Sequence, residues 1–225
     1  LNSLVIFTRN DLEGIKSIFS SIPVELFDEI FAVDGHSTDG TVEFLHERGI
    51  KTHIQSRIGR VNATIEALKL YKGDVLVFLS GDANENPRDI KKMLTLLDNN
   101  DMVVASRFMI SGASDDSDDP LRIRKCASLL IALVVNLIWG ANITDATNGL
   151  RAVKREVLKK LTFDEGYHTF ELQLTILAAK MKYHVAEVPT IEGRRKGSRR
   201  YASTVRMALS LSKILLKEIV KGRAV

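Results

Sequence analysis

The stretch that decides the fold is Asp74-Val75-Leu76-Val77-Phe78-Leu79, followed by Ser80-Gly81-Asp82-Ala83-Asn84-Glu85-Asn86-Pro87. Five apolar residues run without alternation and stop at a cluster of turn formers. That is the pattern of a short strand buried on both faces, as in a parallel sheet covered by helices. Pro87 then opens a helical pattern reaching position 97, and its missing N–H costs nothing in a first turn. The same rhythm recurs on either side. Runs at 3–8, 29–33, 52–55, 74–79 and 102–105 read as strands. Between them, 12–20, 41–48, 60–70 and 87–97 carry helical spacing. Alternation of this kind predicts an α/β domain with a mostly parallel sheet flanked by helices.

The second half is built differently. Positions 111–120 are polar and acidic and read as a surface loop. An apolar helix follows over 124–139, then a loop from Asp145 to Gly149, helices over 155–161 and 170–181, and a strand over 184–188. The last helix, 203–221, sets Met207, Leu211, Ile214, Leu215 and Ile219 against Arg206, Lys213, Lys217 and Lys221. It reads as amphipathic and basic. The expected organisation is one catalytic domain over 1–202 with an appended helix over 203–225, which suits a chain of 225 residues.

Composition narrows the function classes. The net charge is +4, but charge is grouped: Asp115, Asp116, Asp118 and Asp119 precede Arg122, Arg124 and Lys125, and the tail from Arg194 to Arg223 is basic. Such clusters suit anionic lipid heads, phosphorylated substrates or nucleic acid. No stacking aromatics are interleaved with them, which argues against nucleic acid. The five histidines have no metal-ligand spacing, so a zinc site is not expected. A single cysteine, Cys126, fits a reducing, cytoplasmic setting. No run approaches the roughly 20 apolar residues of a membrane span, and no secretory signal opens the sequence.

Ligands of open α/β sheets bind beyond the carboxyl ends of the strands. Those ends here are polar and acidic: Thr8-Arg9-Asn10-Asp11, Asp34-Gly35-His36-Ser37-Thr38-Asp39-Gly40-Thr41, and Ser80 to Pro87. An acidic edge receives a diphosphate only across a divalent cation, and Mg2+ or Mn2+ takes carboxylates plus phosphate oxygens. Asp82 is the best-placed carboxylate for that ion; its other reading is a cap or turn residue.

The order of these segments resembles the family-two, GT-A glycosyltransferases, and within them the dolichyl- or polyprenyl-phosphate mannose and glucose synthases. Phe7-Thr8-Arg9-Asn10-Asp11 matches their Pro-Thr-Tyr-Asn-Glu opening, and Val33 to Thr41 their Val-Asp-Asp-Gly-Ser-Thr-Asp-Gly-Thr. Ile58-Gly59-Arg60 stands at their Gly-Lys-Gly, Ser80-Gly81-Asp82 at the metal-binding Asp-x-Asp, and Ala105 to Phe108 at Gly-Ser-Arg-Tyr. Arg124 and Ser128 follow the Arg-x-x-x-Ser pair, and Asp145, Thr147, Gly149 and Arg151 the Asp-x-Thr-x-Gly-x-Arg motif. Glu187-Val188-Pro189 and the tract from Arg194 to Ser198 complete the series, so almost the whole chain is covered in order.

The resemblance implies a GT-A, Rossmann-like fold and an inverting hexosyltransferase moving a sugar from a nucleoside diphosphate sugar to a polyprenyl phosphate. It implies Mg2+ or Mn2+ at Asp82, helped by Asn84. It also implies donor contacts from Thr8, Asn10, Asp34, Arg60 and Ser80, and acceptor-phosphate contacts from Arg107, Arg124 and Ser128. Asp145 would orient an arginine or the sugar, or only shape a turn. Arg194, Arg195, Lys196 and Arg199 would close over the donor phosphates, or form a solvated loop. A peripheral position on the cytoplasmic face of a membrane follows from the acceptor; the basic last helix would meet it, or dock on the domain itself.

Three departures keep other readings open. Ser80 replaces the first acid of Asp-x-Asp, Gly35 the second acid of Asp-Asp, and the glutamate expected in the helix before Glu-Val-Pro falls on Gln173, with Glu171 nearby. The alternatives are a non-catalytic nucleotide- or lipid-phosphate-binding protein on this fold, or a transferase with a glycan hydroxyl acceptor. A nucleotidyltransferase would need a Gly-rich basic loop after the first strand, which Thr8 to Asp11 lacks.

Overall fold

The computed structural model describes residues 1–109, 123–160, 170–197 and 204–222. Its centre is a seven-stranded sheet of order β3-β2-β1-β4-β6-β5-β7. The strands are β1 (Asn2–Thr8), β2 (Glu29–Asp34), β3 (Lys51–Ile54), β4 (Val75–Ser80), β5 (Met102–Ser106), β6 (Arg151–Lys154) and β7 (Val185–Pro189). β3, β2, β1 and β4 are parallel neighbours. β6 runs antiparallel between β4 and β5, and β7 pairs parallel with β5. The helices are α1 (Leu12–Ile18), α2 (Thr41–His46), α3 (Arg60–Leu70), α4 (Ile90–Leu97), α5 (Ile123–Trp139), α6 (Arg155–Lys160), α7 (Glu171–Lys180) and α8 (Thr204–Val220).

The expected strands and helices all form within the described residues, with their ends displaced by a few positions. Pro87 starts a short 3-10 turn, Pro87–Asp89, capped by the Asn86 side chain, before α4 proper. β6 is the correction. It is only four residues, two of them charged, and its first residue, Arg151, is wholly buried. Neither alternation nor an apolar run marks it, because pairing with β4 and β5 makes it a strand.

Alternation along β1 divides the core. Leu4 and Ile6 face one side with Ile15, Leu45, Ile90 and Met93 from α1, α2 and α4. Val5 and Phe7 face the other, with Val61, Ala67, Val157 and Leu174 from α3, α6 and α7. A third cluster joins Ile131, Val135 and Trp139 of α5 to Leu172 and Ile176 of α7 and Ile214 of α8. α7 is therefore buried along its whole length, between the sheet and an outer layer made by α5 and α8.

α8 is seated by a buried ion pair, Lys180 Nζ to Glu218 Oε2 at 2.6 Å, both side chains 1% exposed. Leu211, Ile214 and Leu215, three of the five residues of the apolar face picked out in the sequence, pack on the protein itself. The carboxyl ends of the parallel strands β1, β2 and β4 lie on one edge of the sheet. There the chain turns back between β1 and β4, the topological switch point where such sheets bind ligands.

Candidate active site

At that edge the loops after β1 and β2 are laced together. Thr8 Oγ1 donates to Asp34 Oδ2 (2.7 Å), and Ser37 donates to the same carboxylate through its N–H (2.7 Å) and hydroxyl (2.5 Å). Asn10 N–H donates to Ser37 Oγ, while Asn10 Oδ1 accepts from Thr38 N–H, both at 2.8 Å. Asn10 and His36 both have positive φ, 52° and 63°. Asp34 is fully buried, so the structure gives it the task of fixing this double loop, with Thr8 and Ser37 as its partners and Asn10 bonded to Ser37 and Thr38.

The loop after β4 sits directly beside it. Gly81 N–H donates to Phe7 carbonyl oxygen (2.9 Å), and a Cβ on Gly81 would stand 2.7 Å from Thr8 Cγ2. Asp82 is 6% exposed. One of its oxygens accepts from Asn84 N–H (3.1 Å) and the other faces the Arg195 guanidinium at 2.5 Å. Ala83 between them has φ +64°, a conformation costly for a side-chain-bearing residue and often stored at functional sites.

The segment from Gly193 to Gly197 crosses over both loops. Gly193 N–H donates to Asn84 carbonyl oxygen, Asn84 Nδ2 donates back to Gly193, and Lys196 N–H donates to Asp82 carbonyl oxygen, at 2.8–2.9 Å. A Cβ on Gly197 would crowd Asn10 and Asp11. The backbone of this segment and the Arg195 guanidinium thus lie on the Asp82 loop; Arg199 lies outside the described residues.

Glu85 was not singled out in the sequence. Its carboxylate accepts from Ser80 N–H (2.7 Å) and Ser80 Oγ (3.2 Å). It therefore brings a carboxyl group to the position where Asp-x-Asp has its first acid. Gly149 makes room: a Cβ there would lie 2.3 Å from Glu85 Oε1 and 3.1 Å from Arg60 Nη2. Arg60 is held between aromatic rings and acids, 4.2 Å from the Phe7 ring centroid and 3.2 Å from Glu171 Oε1. Burial, with Asp82 adding to it, pushes the Glu85 carboxyl up to about 7 against the pull of Arg60. Burial likewise raises Asp11 to about 7. The signal available beforehand was an acid three residues after Asp82 in a motif missing one.

The second half supplies a cationic side. Arg107 grips Asp145 through two donors, Nε to Oδ2 (2.7 Å) and Nη2 to Oδ1 (2.9 Å), and reaches Thr147 Oγ1 at 3.0 Å. Glu192 stands 3.7 Å away. Asp145 is fully buried; burial raises its carboxyl, but Arg107 outweighs this and holds it below the usual carboxylate range. Asp145 thus holds Arg107 and, by accepting from the Thr147 and Asn148 N–H groups at 3.1 Å, also shapes the turn, so its contacts serve both open readings. Thr147 Oγ1 also meets Ser128 Oγ at 3.5 Å, which brings Arg107 and Ser128 together. Arg124 lies on α5, and its side chain is outside the described residues.

The loop carrying Asp145 is fixed from behind. Glu187 accepts from Thr144 and Asp145 N–H groups, both at 2.8 Å. Arg151 donates to Asn148 and Ala146 carbonyl oxygens and Thr175 Oγ1, at 2.7–2.8 Å.

Residues 3–162 match the family described as Glycosyl transferase family 2. The chain belongs to this family. Among the relatives of this family 2 chain, glycosyltransferase AglJ of Haloferax volcanii is 29% identical over 81% of this chain and 60% of AglJ. The chain thus spans less than two thirds of that relative's length. The UDP-N-acetylglucosamine–dolichyl-phosphate N-acetylglucosaminyltransferase of Methanococcus voltae is 27% identical over 83% of each chain. Glucosyl-3-phosphoglycerate synthase of Mycobacterium tuberculosis, solved with Mn2+ and UDP-glucose, shares the fold. Its TM-score is 0.75 over 96% of this chain and 78% of that one, at 22% identity.

The two residues expected to hold a divalent ion, Asp82 and Asn84, stand together in the loop after β4, where Asp82 faces Arg195 and the Asn84 amide nitrogen donates to Gly193. Among the described residues no three acids, histidines or cysteines are grouped tightly enough to hold a metal ion. Two oxygen donors fit Mg2+ or Mn2+ only where a diphosphate and water complete the shell.

Proposed function

We propose that this chain transfers a sugar from a nucleoside diphosphate sugar to a polyprenyl phosphate. One observation carries the reading: Arg107, held by Asp145, reaches Thr147 Oγ1, which in turn meets Ser128 Oγ on the apolar helix α5. That is a phosphate cradle facing a donor site, with grease leading away from it. The Methanococcus voltae relative, named for transfer to dolichyl phosphate, supports it. The extra length of AglJ keeps the activity of the whole protein within this proposal.

In this reading a phosphate oxygen of the acceptor attacks the anomeric carbon as the bond to the nucleoside diphosphate breaks. An acceptor phosphate is already ionised near neutrality, so no general base is required. Arg107, whose Nε and Nη2 are held by Asp145, would align that nucleophile through its Nη1 donors. Arg60, Arg195 and Lys196 stabilise the charge that collects on the leaving diphosphate. Asp82 and Asn84 would hold Mg2+ or Mn2+, which supplies further neutralisation of that diphosphate. Arg195, now on Asp82, would then shift to the phosphates. We place Thr8, Asn10, Asp34 and Ser80 behind the donor as its rigid floor, Arg124 at the acceptor phosphate, 1–202 as the catalytic unit and 203–225 as its appended helix. The protein would work at the cytoplasmic face of a membrane.

The test offers a panel of nucleoside diphosphate sugars, with Mn2+, to a short water-soluble prenyl phosphate and to a glycan hydroxyl acceptor. Transfer to the prenyl phosphate that is lost in Asp82→Asn is the expected result. Transfer only to the hydroxyl acceptor, or donor binding without turnover on either, sinks the reading.

A further inference from the structure

The chain leaves β7 at Pro189 and is pinned at once. Thr190 Oγ1 donates to Asp89 Oδ2 at 2.6 Å, and Thr190 N–H donates to Ser106 carbonyl oxygen at 3.0 Å. Further on, Gly197 rests at φ +109° against Asn10 and Asp11. Between these two points the strap sends a pair of opposite charges into the site. Glu192 sets Oε2 3.7 Å from Arg107 Nη1, while its Oε1 accepts from Asn148 Nδ2 at 2.8 Å. Arg195 sets Nη1 2.5 Å from Asp82 Oδ2.

Each contact puts a charge of the strap where a ligand of the same sign is expected. Asp82 would hold a divalent cation, and a guanidinium stands on it. Arg107 would hold an acceptor phosphate, and a carboxylate faces it. Because Arg107 Nε and Nη2 are committed to Asp145, Nη1 is the group for which Glu192 and a phosphate compete. Both contacts are weak enough to be displaced. At 3.7 Å the Glu192 pair is too long for a hydrogen bond. The Arg195 side chain is 36% exposed, where water weakens an ion pair. The backbone between them is joined to the Asp82 loop at Gly193 and Lys196, so the two charges move with one segment.

We infer that residues 190–197 form a latch that fills both half-sites with this chain's own charges, so that the cation at Asp82 and the phosphate at Arg107 bind cooperatively. A cation that drives Arg195 off Asp82 shifts the segment carrying Glu192, which frees Arg107 Nη1. A phosphate that displaces Glu192 loosens Arg195 in return, since coupling through one two-position element is reciprocal. The inference rests on the proposed roles of Asp82 and Arg107. It adds Glu192 to them as the residue that keeps the acceptor arginine occupied until the donor side is filled.

The experiment titrates the protein with Mn2+, followed by the spin resonance of the free ion, with and without a water-soluble prenyl phosphate. Calorimetry then measures the prenyl phosphate with and without Mn2+. In the wild type each probe tightens the other at least about fivefold. Arg195→Ala binds Mn2+ alone at least about fivefold more tightly than the wild type does. Glu192→Gln, which keeps an oxygen for Asn148, does the same for prenyl phosphate alone. The mutual tightening disappears in both variants, each measured on protein with the wild-type circular dichroism spectrum. Mn2+ binding that Asp82→Asn abolishes but Arg195→Ala leaves unchanged overturns the latch and leaves the role of Asp82 standing. Mn2+ binding indifferent to Asp82→Asn overturns that role and the latch with it. Tightening that keeps its wild-type size in both variants also overturns the latch, because ion and phosphate then couple by direct contact.

Discussion

Gly14 in the first turn of α1 offers a perturbation whose stability and functional effects should separate. A Cβ there would stand 2.4 Å from Gly81 carbonyl oxygen and 2.8 Å from the Asp82 Cα and carbonyl carbon. These are backbone atoms of the candidate metal loop, so no rotamer change relieves the contact. Restoring an ordinary contact distance requires a displacement of roughly 1 Å. In Gly14→Ala, overpacking costs about 1–3 kcal/mol. Alanine's better helix propensity returns about 1 kcal/mol. The net loss is thus between about 0 and 2 kcal/mol, and for a chain this long the melting temperature falls by at most about 8 °C. A carboxylate misplaced by about 1 Å costs far more where alignment matters, about 100-fold in kcat/KM. Scanning calorimetry gives the first number and transfer to a soluble prenyl phosphate the second. A variant melting higher than wild type with unchanged kcat/KM would refute the reasoning: α1 would have slid away and left the Asp82 loop where it was.

Other perturbations probe the rest of the frame. Lys180→Met leaves Glu218 buried beside Lys221 alone; we expect a loss of about 3 kcal/mol, largely recovered by adding Glu218→Leu, read as melting temperatures. Although burial opposes it, Lys180 and Lys221 hold the Glu218 carboxyl below its ordinary range, so this contribution is present near neutrality and fades as pH falls below about 4. Asp11 and Glu85 act with the opposite sign. Their carboxyls, raised to about 7 by burial, hold protons more tightly folded than unfolded, so stability drops as pH climbs from about 4 to about 7. Metal-free protein should therefore melt lower at pH 8 than at pH 5, with a shallower decline in Glu85→Gln; a flat wild-type profile would remove both groups from the account. Arg151→Lys cannot make all three of the arginine's hydrogen bonds and should cost about 3 kcal/mol, seen in urea unfolding.

Much of this was legible in the chain itself. The strands 3–8, 74–79 and 102–105 announce themselves because both faces are covered, leaving no polar positions to blur the run. Asp82 was legible because a strand end and turn residues locate a sheet's carboxyl edge, whereas Arg107 and Asp145 were legible only through the motifs that resemble the family's. Pairings across distant segments were not legible. Asp34 reads as an available ligand, but Thr8 and Ser37 enclose it. Glu85 reads as a loop acid until Ser80 and the vacancy at Gly149 bring it inward. β6 is marked by no hydrophobic period, since half its length is a buried arginine and a lysine whose partners come from elsewhere.

β6 also dictates the order in which the molecule can be completed. During synthesis the four parallel strands 3-2-1-4 emerge first and can assemble around their own helices. The outer edge of β4, Val75 to Phe78, then waits for Lys154 to Arg151, which leave the ribosome long afterwards. β5 is synthesised in the interval and cannot fill the gap; it too pairs with β6. For that period the nascent chain carries a flat, apolar strand edge, the feature most prone to pairing with a neighbour. Slow passage from position 80 to 154 should therefore raise aggregation of the nascent chain, with the yield of folded protein set by how quickly one four-residue strand arrives.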